Sequence, residues 1–257
     1  MQALRNYGCI AAVLLSIATV AISSAEAYNA IDVVIDDGIN PVYSNTFLFT
    51  DPPFTPGGGG MINATINTIT TPFGADYQLT YLFDPAGHHL GIGFTGTAGA
   101  NDTKFSITAT SPTFATLTNP FLRTTGTLNG LDYSAMTSGL ITGQFPPFPL
   151  PGNSLRTSYG LSNPTDNIFA TVINDSGFIP LAGNPLEGIT NSVDTGYSSI
   201  TGSVGVARTQ WYFALKANDT ANGTSEFLVP EPSTLTLLAV GSVAFLAIGR
   251  RFKKRLA

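Results

Sequence analysis

Only a few residues in this chain have the type and spacing for chemistry. His88 and His89 are its two histidines, and Asp84 lies close by. Imidazole and carboxylate together could bind a transition metal or move a proton. Neighbouring side chains on a strand point to opposite faces, however, so the pair does not readily share one metal. The densest acidic run is Asp32, Asp36 and Asp37 with Asn40, in DVVIDDGIN. Oxygen ligands beside a glycine turn suit calcium. The spacing is not that of an EF-hand loop, which needs alternating acids and a distal glutamate. A strand running into a solvated turn accounts for the same residues.

Other chemistries lack their residues. A glycosidase requires two facing carboxylates, and no pair of acids stands out here. There is no Gly-x-Ser-x-Gly elbow, no His-Glu-x-x-His and no phosphate loop. Cys9 is the one cysteine and sits just before the apolar run of the N-terminal segment, to be removed with it, so the body of the chain has no thiol nucleophile, disulfide or thiolate metal site. Neither a catalytic residue nor a cofactor or metal site is expected. Thr-x-Thr begins at Thr68, Thr95, Thr108, Thr116 and Thr125. Paired threonines on one strand face give a hydroxyl and methyl surface able to order water or ice. Their uneven spacing along the chain favours simple solvated strands instead. Trp211, Tyr212 and Phe213 could stack on sugar rings, but Trp211, Phe213 and Leu215 alternate as an inward face would.

The elements that carry these residues are strands. Charged residues are 11% of the 257, against about 25% in a typical soluble domain. Threonine is abundant, with 27 glycines and 17 prolines, a bias towards strands and turns. Period-two alternation marks Ile31–Ile35, Met61–Thr70, Asp76–Phe83, Lys104–Thr110, Asp166–Ile173, Tyr197–Val206, Gln210–Lys216 and Ser225–Val229. Asp84-Pro85-Ala86-Gly87 and Asn163-Pro164 read as turns. Lys216–Glu226 (KANDTANGTSE) is polar and reads as a hairpin or the start of a stalk. The expected fold is all-β: an antiparallel β-sandwich or jelly-roll-like single domain over residues 28–228. The Pro/Gly-rich loops Asp51–Gly60 and Phe145–Gly152 do not divide it.

The two ends have a different texture. Residues 1–27 carry Arg5, an apolar run from Ile10 to Ile22 and Ala25-Glu26-Ala27, the pattern of a signal helix cut by signal peptidase. At the other end Val229-Pro230-Glu231-Pro232-Ser233 is followed by Thr234–Gly249, 16 residues without charge, and then RRFKKRLA. Proline breaks backbone pairing. The apolar segment is a transmembrane helix by composition, and the basic tail stays cytoplasmic by the positive-inside rule. At 1.5 Å per residue the helix covers about 24 Å, short of a ~30 Å hydrocarbon core, which suits a transient hold. Between Tyr28 and Pro232, five basic residues stand against fifteen acidic ones, a net of −10. Such a body repels phosphate backbones, so nucleic acid is not an expected partner.

Residues 229–257, with Pro230, Glu231 and Pro232 ahead of a hydrophobic helix and basic tail, resemble the PEP-CTERM sorting domain. The resemblance implies a bacterial protein processed near Pro-Glu-Pro by an exosortase-type membrane enzyme. It implies an inner-membrane-anchored intermediate with the domain outside, then the cell surface or extracellular matrix. It implies nothing about what residues 28–228 do. The expected role is a non-enzymatic structural or polysaccharide-associated module contacting exopolysaccharide or other envelope polymers. The alternatives are a secreted β-sandwich hydrolase acting on glycans and a calcium-dependent adhesion module.

Overall fold

The computed structural model describes residues 29–57, 60–131, 153–161, 167–174 and 188–230. The signal segment 1–27, the loop Phe145–Gly152, the turn at Asn163-Pro164, the helix 234–249 and the basic tail lie outside the described residues, as do Glu231 and Pro232. Among the described residues there is no helix long and apolar enough to cross a membrane.

Among the described residues every long element is a strand, and every pairing is antiparallel. One sheet holds six strands: β1 (Asn29–Asp36), β2 (Tyr43–Leu48), β7 (Thr103–Thr110), β10 (Asn153–Gly160), β11 (Asn167–Asn174) and β15 (Val206–Leu215). Their spatial order is β11-β10-β15-β7-β1-β2. The other sheet has β3 (Thr55–Pro56), β4 (Ile62–Thr70), β5 (Asp76–Asp84), β6 (His89–Thr97), β9 (Phe121–Leu131), β12 (Gly188–Asp194) and β16 (Thr220–Leu228), in the order β12-β9-β16-β6-β5-β4-β3. The short β13 (Ser198–Ser199) adds to β9 as an eighth strand, while β8 (Leu117–Thr118) and β14 (Ser203–Val204) pair with each other.

The alternation read from sequence determines which side chains meet. Tyr77, Leu79, Tyr81 and Phe83 of β5 and Phe105, Ile107 and Ala109 of β7 are all buried. They belong to one hydrophobic cluster fed by both sheets. At its centre the rings of Phe94 (β6), Phe213 (β15) and Phe105 (β7) stack, with centroids 4.8 and 5.1 Å apart. Trp211 meets Phe94 edge-on at 5.2 Å. Trp211 is fully buried, and its indole N–H donates to Ser225 Oγ at 3.0 Å. Full burial of each such side chain contributes about 1.5–3 kcal/mol. The hydroxyls that cross between the sheets are paired: Thr124 with Thr157 at 2.7 Å, and Thr209 with Ser225 at 2.9 Å. Buried hydroxyls paired in this way avoid the cost of desolvation without a partner.

Three sequence expectations need correction. Tyr197–Val206 is not one strand; β13 and β14 are separated by a turn at Gly202, where φ is +129°. Gln210–Lys216 and Ser225–Val229 are the C-terminal parts of longer strands that begin at Val206 and Thr220. Lys216–Glu226 is neither hairpin nor stalk. A turn at Lys216–Asp219 carries the chain from one sheet to the other, and β16 then runs through the middle of its sheet between β6 and β9. Its inward positions are Ala221, Gly223, Ser225 and Phe227. Three of the four are small, Gly223 because Phe94 lies against it and Ser225 because Trp211 does, so the strand looks polar in sequence. Packing continues to Val229, which is fully buried and donates its N–H to the His88 carbonyl at 3.0 Å. Pro230 therefore follows the packed body directly, with no linker between them.

Candidate functional site

A groove of about 410 Å³ opens on the outer face of the larger sheet, over β12, β9 and β16. Thr125, Thr127, Ser192, Asp194, Thr224 and Glu226 line it. Register places them in two rows: Asp194, Thr125 and Glu226 in one, Ser192, Thr127 and Thr224 in the next. Alternation turns these residues outward while Thr124, Leu128, Ser225 and Phe227 turn inward.

One end of the groove is built by a corner. After β12 the chain turns at Gly196, with φ +64°. Thr195 fastens this turn to β9: its N–H donates to the Thr124 carbonyl at 3.0 Å, and its hydroxyl accepts from the Thr124 N–H at 2.9 Å. Arg123 clamps Asp194, donating from Nε at 2.8 Å and from its terminal nitrogen at 2.5 Å. The same guanidinium lies 5.3 Å from the ring centre of Tyr197, which is 45% exposed. Hydrogen bonds from Arg123 and from the Gly196 N–H hold the Asp194 carboxyl down at about 2. Asp194 is thus a fixed anion.

Asp194 and Glu226 both stand opposite Thr125, two strand steps of about 10 Å apart in the backbone. Sequence separation hides this pairing of acids, since they come from strands 32 positions apart. Glu226 is half exposed, with one oxygen 3.9 Å from His89 Nε2. A general acid needs a carboxyl raised towards neutrality by burial, and Asp194 has moved the opposite way.

The other sequence candidates separate. His88 is buried in a positive-φ turn residue (φ +45°), with its ring 5.1 Å from Phe114. His89 begins β6 on the outer face. The Asp84 carboxylate accepts from the Ala86 N–H at 2.9 Å and closes the expected turn. In the acidic run, both oxygens of Asp37 are engaged. One accepts from the Ile39 and Asn40 N–H groups at 3.1 and 2.8 Å; the other accepts from the amides of Asn40 and Asn101 at 2.7 and 3.1 Å. These donors hold the carboxyl at about 2, the backbone bond from Asn40 most of all. Asp32 instead accepts from Asn29 and Thr46. The run is a hydrogen-bonded turn, and no cluster of three or more metal-ligating side chains occurs among the described residues.

The threonine pairs divide between the sheets. Thr95 and Thr97 on β6 and Thr125 and Thr127 on β9 share the outer face of the larger sheet, with β16 between them. Thr108 lies on the smaller sheet, Thr116 and Thr118 at β8, and Thr68 and Thr70 at an irregular end of β4. Trp211 and Phe213 are core, as their alternation indicates.

Residues 228–254 match the family model of the PEP-CTERM protein-sorting motif. The match agrees with the resemblance carried by Pro230, Glu231 and Pro232, and supports an exosortase-sorted extracellular or surface protein. It begins on the last residue of β16 and covers none of the groove. No curated protein matches the chain.

Proposed function

We propose that this chain is an exported surface or matrix protein whose β body, residues 28–228, is a non-enzymatic module associated with polysaccharide. The sorting motif at 228–254 is the observation that carries the reading. A motif that sorts a protein to the cell envelope or surface supports this reading, because a body exported there would meet envelope and matrix polymers. In this account the helix 234–249 holds an inner-membrane intermediate with the body outside. An exosortase-type enzyme then cuts near Pro230-Glu231-Pro232 and releases it.

Two sheets with one shared core favour a β-sandwich for the body. Of its two groove carboxylates, one is locked in an ion pair with Arg123 and the other stands in solvent. That arrangement argues for binding and against the alternative of a glycan hydrolase. The occupied oxygens of Asp37 argue against the calcium-dependent alternative.

Co-sedimentation of the purified protein with exopolysaccharide from its own cells tests the reading. Retention on the polymer, with no release of reducing sugar, is expected. Absence of retention on every envelope polymer tried would remove the polysaccharide role, and sugar release would move the protein to the hydrolase class.

A further inference from the structure

The groove is one end of a larger surface. Continuing across the sheet, its second row runs Ser192, Thr127, Thr224, Gly93, Thr80, Thr65 through six strands. The row beside it runs Thr190, Asn129, Asn222, Thr95, Gln78 through five. Asn129 donates to Asn222 across the strands at 2.8 Å, which fixes the amides. Rows of this kind step about 4.8 Å between strands, and side chains of one face repeat about every 6.8 Å along them. Gly91 and Gly93 are the outward residues of β6 here, and Thr80 Oγ1 leans over Gly93, 2.5 Å from where a Cβ would be.

The chemistry of this face is narrow. Neither row contains a charged residue. Leu82 is the large aliphatic side chain of the adjoining row, half-buried beside Gly91. The face therefore lacks the apolar and aromatic centre that a protein interface needs. It lacks the cations that would bind phosphate or an acidic polymer, because Arg123 at its rim is committed to Asp194. Hydroxyl and amide groups that both donate and accept remain in ranks. The exposed ring of Tyr197 stands at one end, held by Arg123. Such ranks complement a ligand that is itself a chain of hydroxyls with apolar C–H faces.

We propose that the two uncharged rows on the outer face of the larger sheet, from Ser192 and Thr190 across Gly93 and Thr95 to Thr65 and Gln78, are a docking surface for an uncharged polysaccharide. The inference rests on the polysaccharide-associated reading above and assigns it a face and a ligand class. Single contacts are weak here, and affinity comes from many of them along one polymer. The amides and Gly93 break the threonine rows, so the face fits a pliable hydroxylated chain better than a regular ice lattice.

The test uses the full-length protein in detergent, with cellulose and dextran as neutral probes and alginate as the acidic one. Retention on a neutral probe is expected, unchanged in molar salt. The double variant T80K/T224K places two long cations on the exposed face and should lower retention at least tenfold. T46K/S106K, on the outer face of the smaller sheet, should leave it unchanged, and thermal melts should show all three proteins folded. Y197A should weaken binding severalfold. Neutral-polymer retention untouched by T80K/T224K overturns the face while leaving the polysaccharide reading intact. Salt-sensitive binding to alginate alone overturns the ligand class. Retention on no probe and none on the native exopolysaccharide overturns both, and inhibition of ice recrystallisation without polymer binding would reassign the face to ice.

Discussion

Gly223 sits at the inward centre of β16, and replacing it with alanine tests how that strand is packed. A Cβ there would lie 2.6 Å from Phe94 Cε1, 2.8 Å from its Cζ and 2.9 Å from the Thr127 carbonyl oxygen. The ring cannot retreat, because Phe213 stacks on it at 4.8 Å and Trp211 abuts it at 5.2 Å. Alanine in an open strand position would stabilise by about 0.5–1 kcal/mol, since glycine loses more backbone freedom on folding. Overpacking a closed one costs about 1–3 kcal/mol. The two cases differ in sign. For a body of this size, ~2 kcal/mol corresponds to a fall of about 4–8 °C in Tm. Thermal and urea melts of Gly223→Ala, Phe94→Leu and the double variant measure it. The leucine removes the ring edge, so the double variant should be more stable than the sum of the singles predicts, by about 1 kcal/mol. Thr224→Ala, one residue on and facing outward, should shift stability by no more than about 0.5 kcal/mol. A Gly223→Ala protein as stable as the parent, with no coupling to Phe94, would refute the placement of β16 between β6 and β9.

Further outcomes follow from other contacts. Tyr81→Phe removes a buried hydroxyl that donates to the Thr110 carbonyl at 2.9 Å; a loss of about 1–3 kcal/mol in urea denaturation is expected, because the carbonyl loses its partner. Asp37 and Asp194 both have folded values near 2, below the ordinary 3.8. Their contribution is therefore full above about pH 4 and is lost as pH falls towards 2; Asp37→Asn and Asp194→Asn should each flatten the acid limb of a melting-temperature profile. Millimolar calcium or EDTA should leave Tm unchanged, whereas a rise of several degrees with calcium would restore the adhesion-module alternative.

Much of the architecture is legible in the sequence because one face of most strands is built from large apolar residues. β1, β5 and β7 alternate strongly, and each forms where alternation predicts. β16 fails that test for a packing reason: Phe94 crowds Gly223 and Trp211 lies against Ser225, so these two inward positions are small. β6 is obscured by Gly91 and Gly93 on its outer face and by Gly96 on its inner one, and Gly96 is small because Phe105 lies against it, 3.2 Å from where a Cβ would be. The face proposed for docking is hidden by topology. Thr80, Thr95, Thr127 and Thr224 are far apart in the chain, and their unequal spacing looks random. The strand order β9-β16-β6-β5 makes them neighbours. The Asp194–Glu226 groove is invisible for the same reason. Asp37, by contrast, is legible as a turn residue from its flanking glycine and asparagine, although its carboxylate is buried rather than solvated. The sorting motif is legible because it depends on local order in the sequence.

The central claim is that Pro230-Glu231-Pro232 directs this β body out of the cell and is then processed. Intact-mass spectrometry of the protein recovered from surface and matrix fractions tests it most directly, comparing the native chain with a P230A/E231A/P232A variant. A native surface species that lacks RRFKKRLA is expected, together with a variant that stays in the inner membrane with its tail intact. A native surface species that still carries RRFKKRLA, or a variant released and trimmed like the native chain, would contradict it.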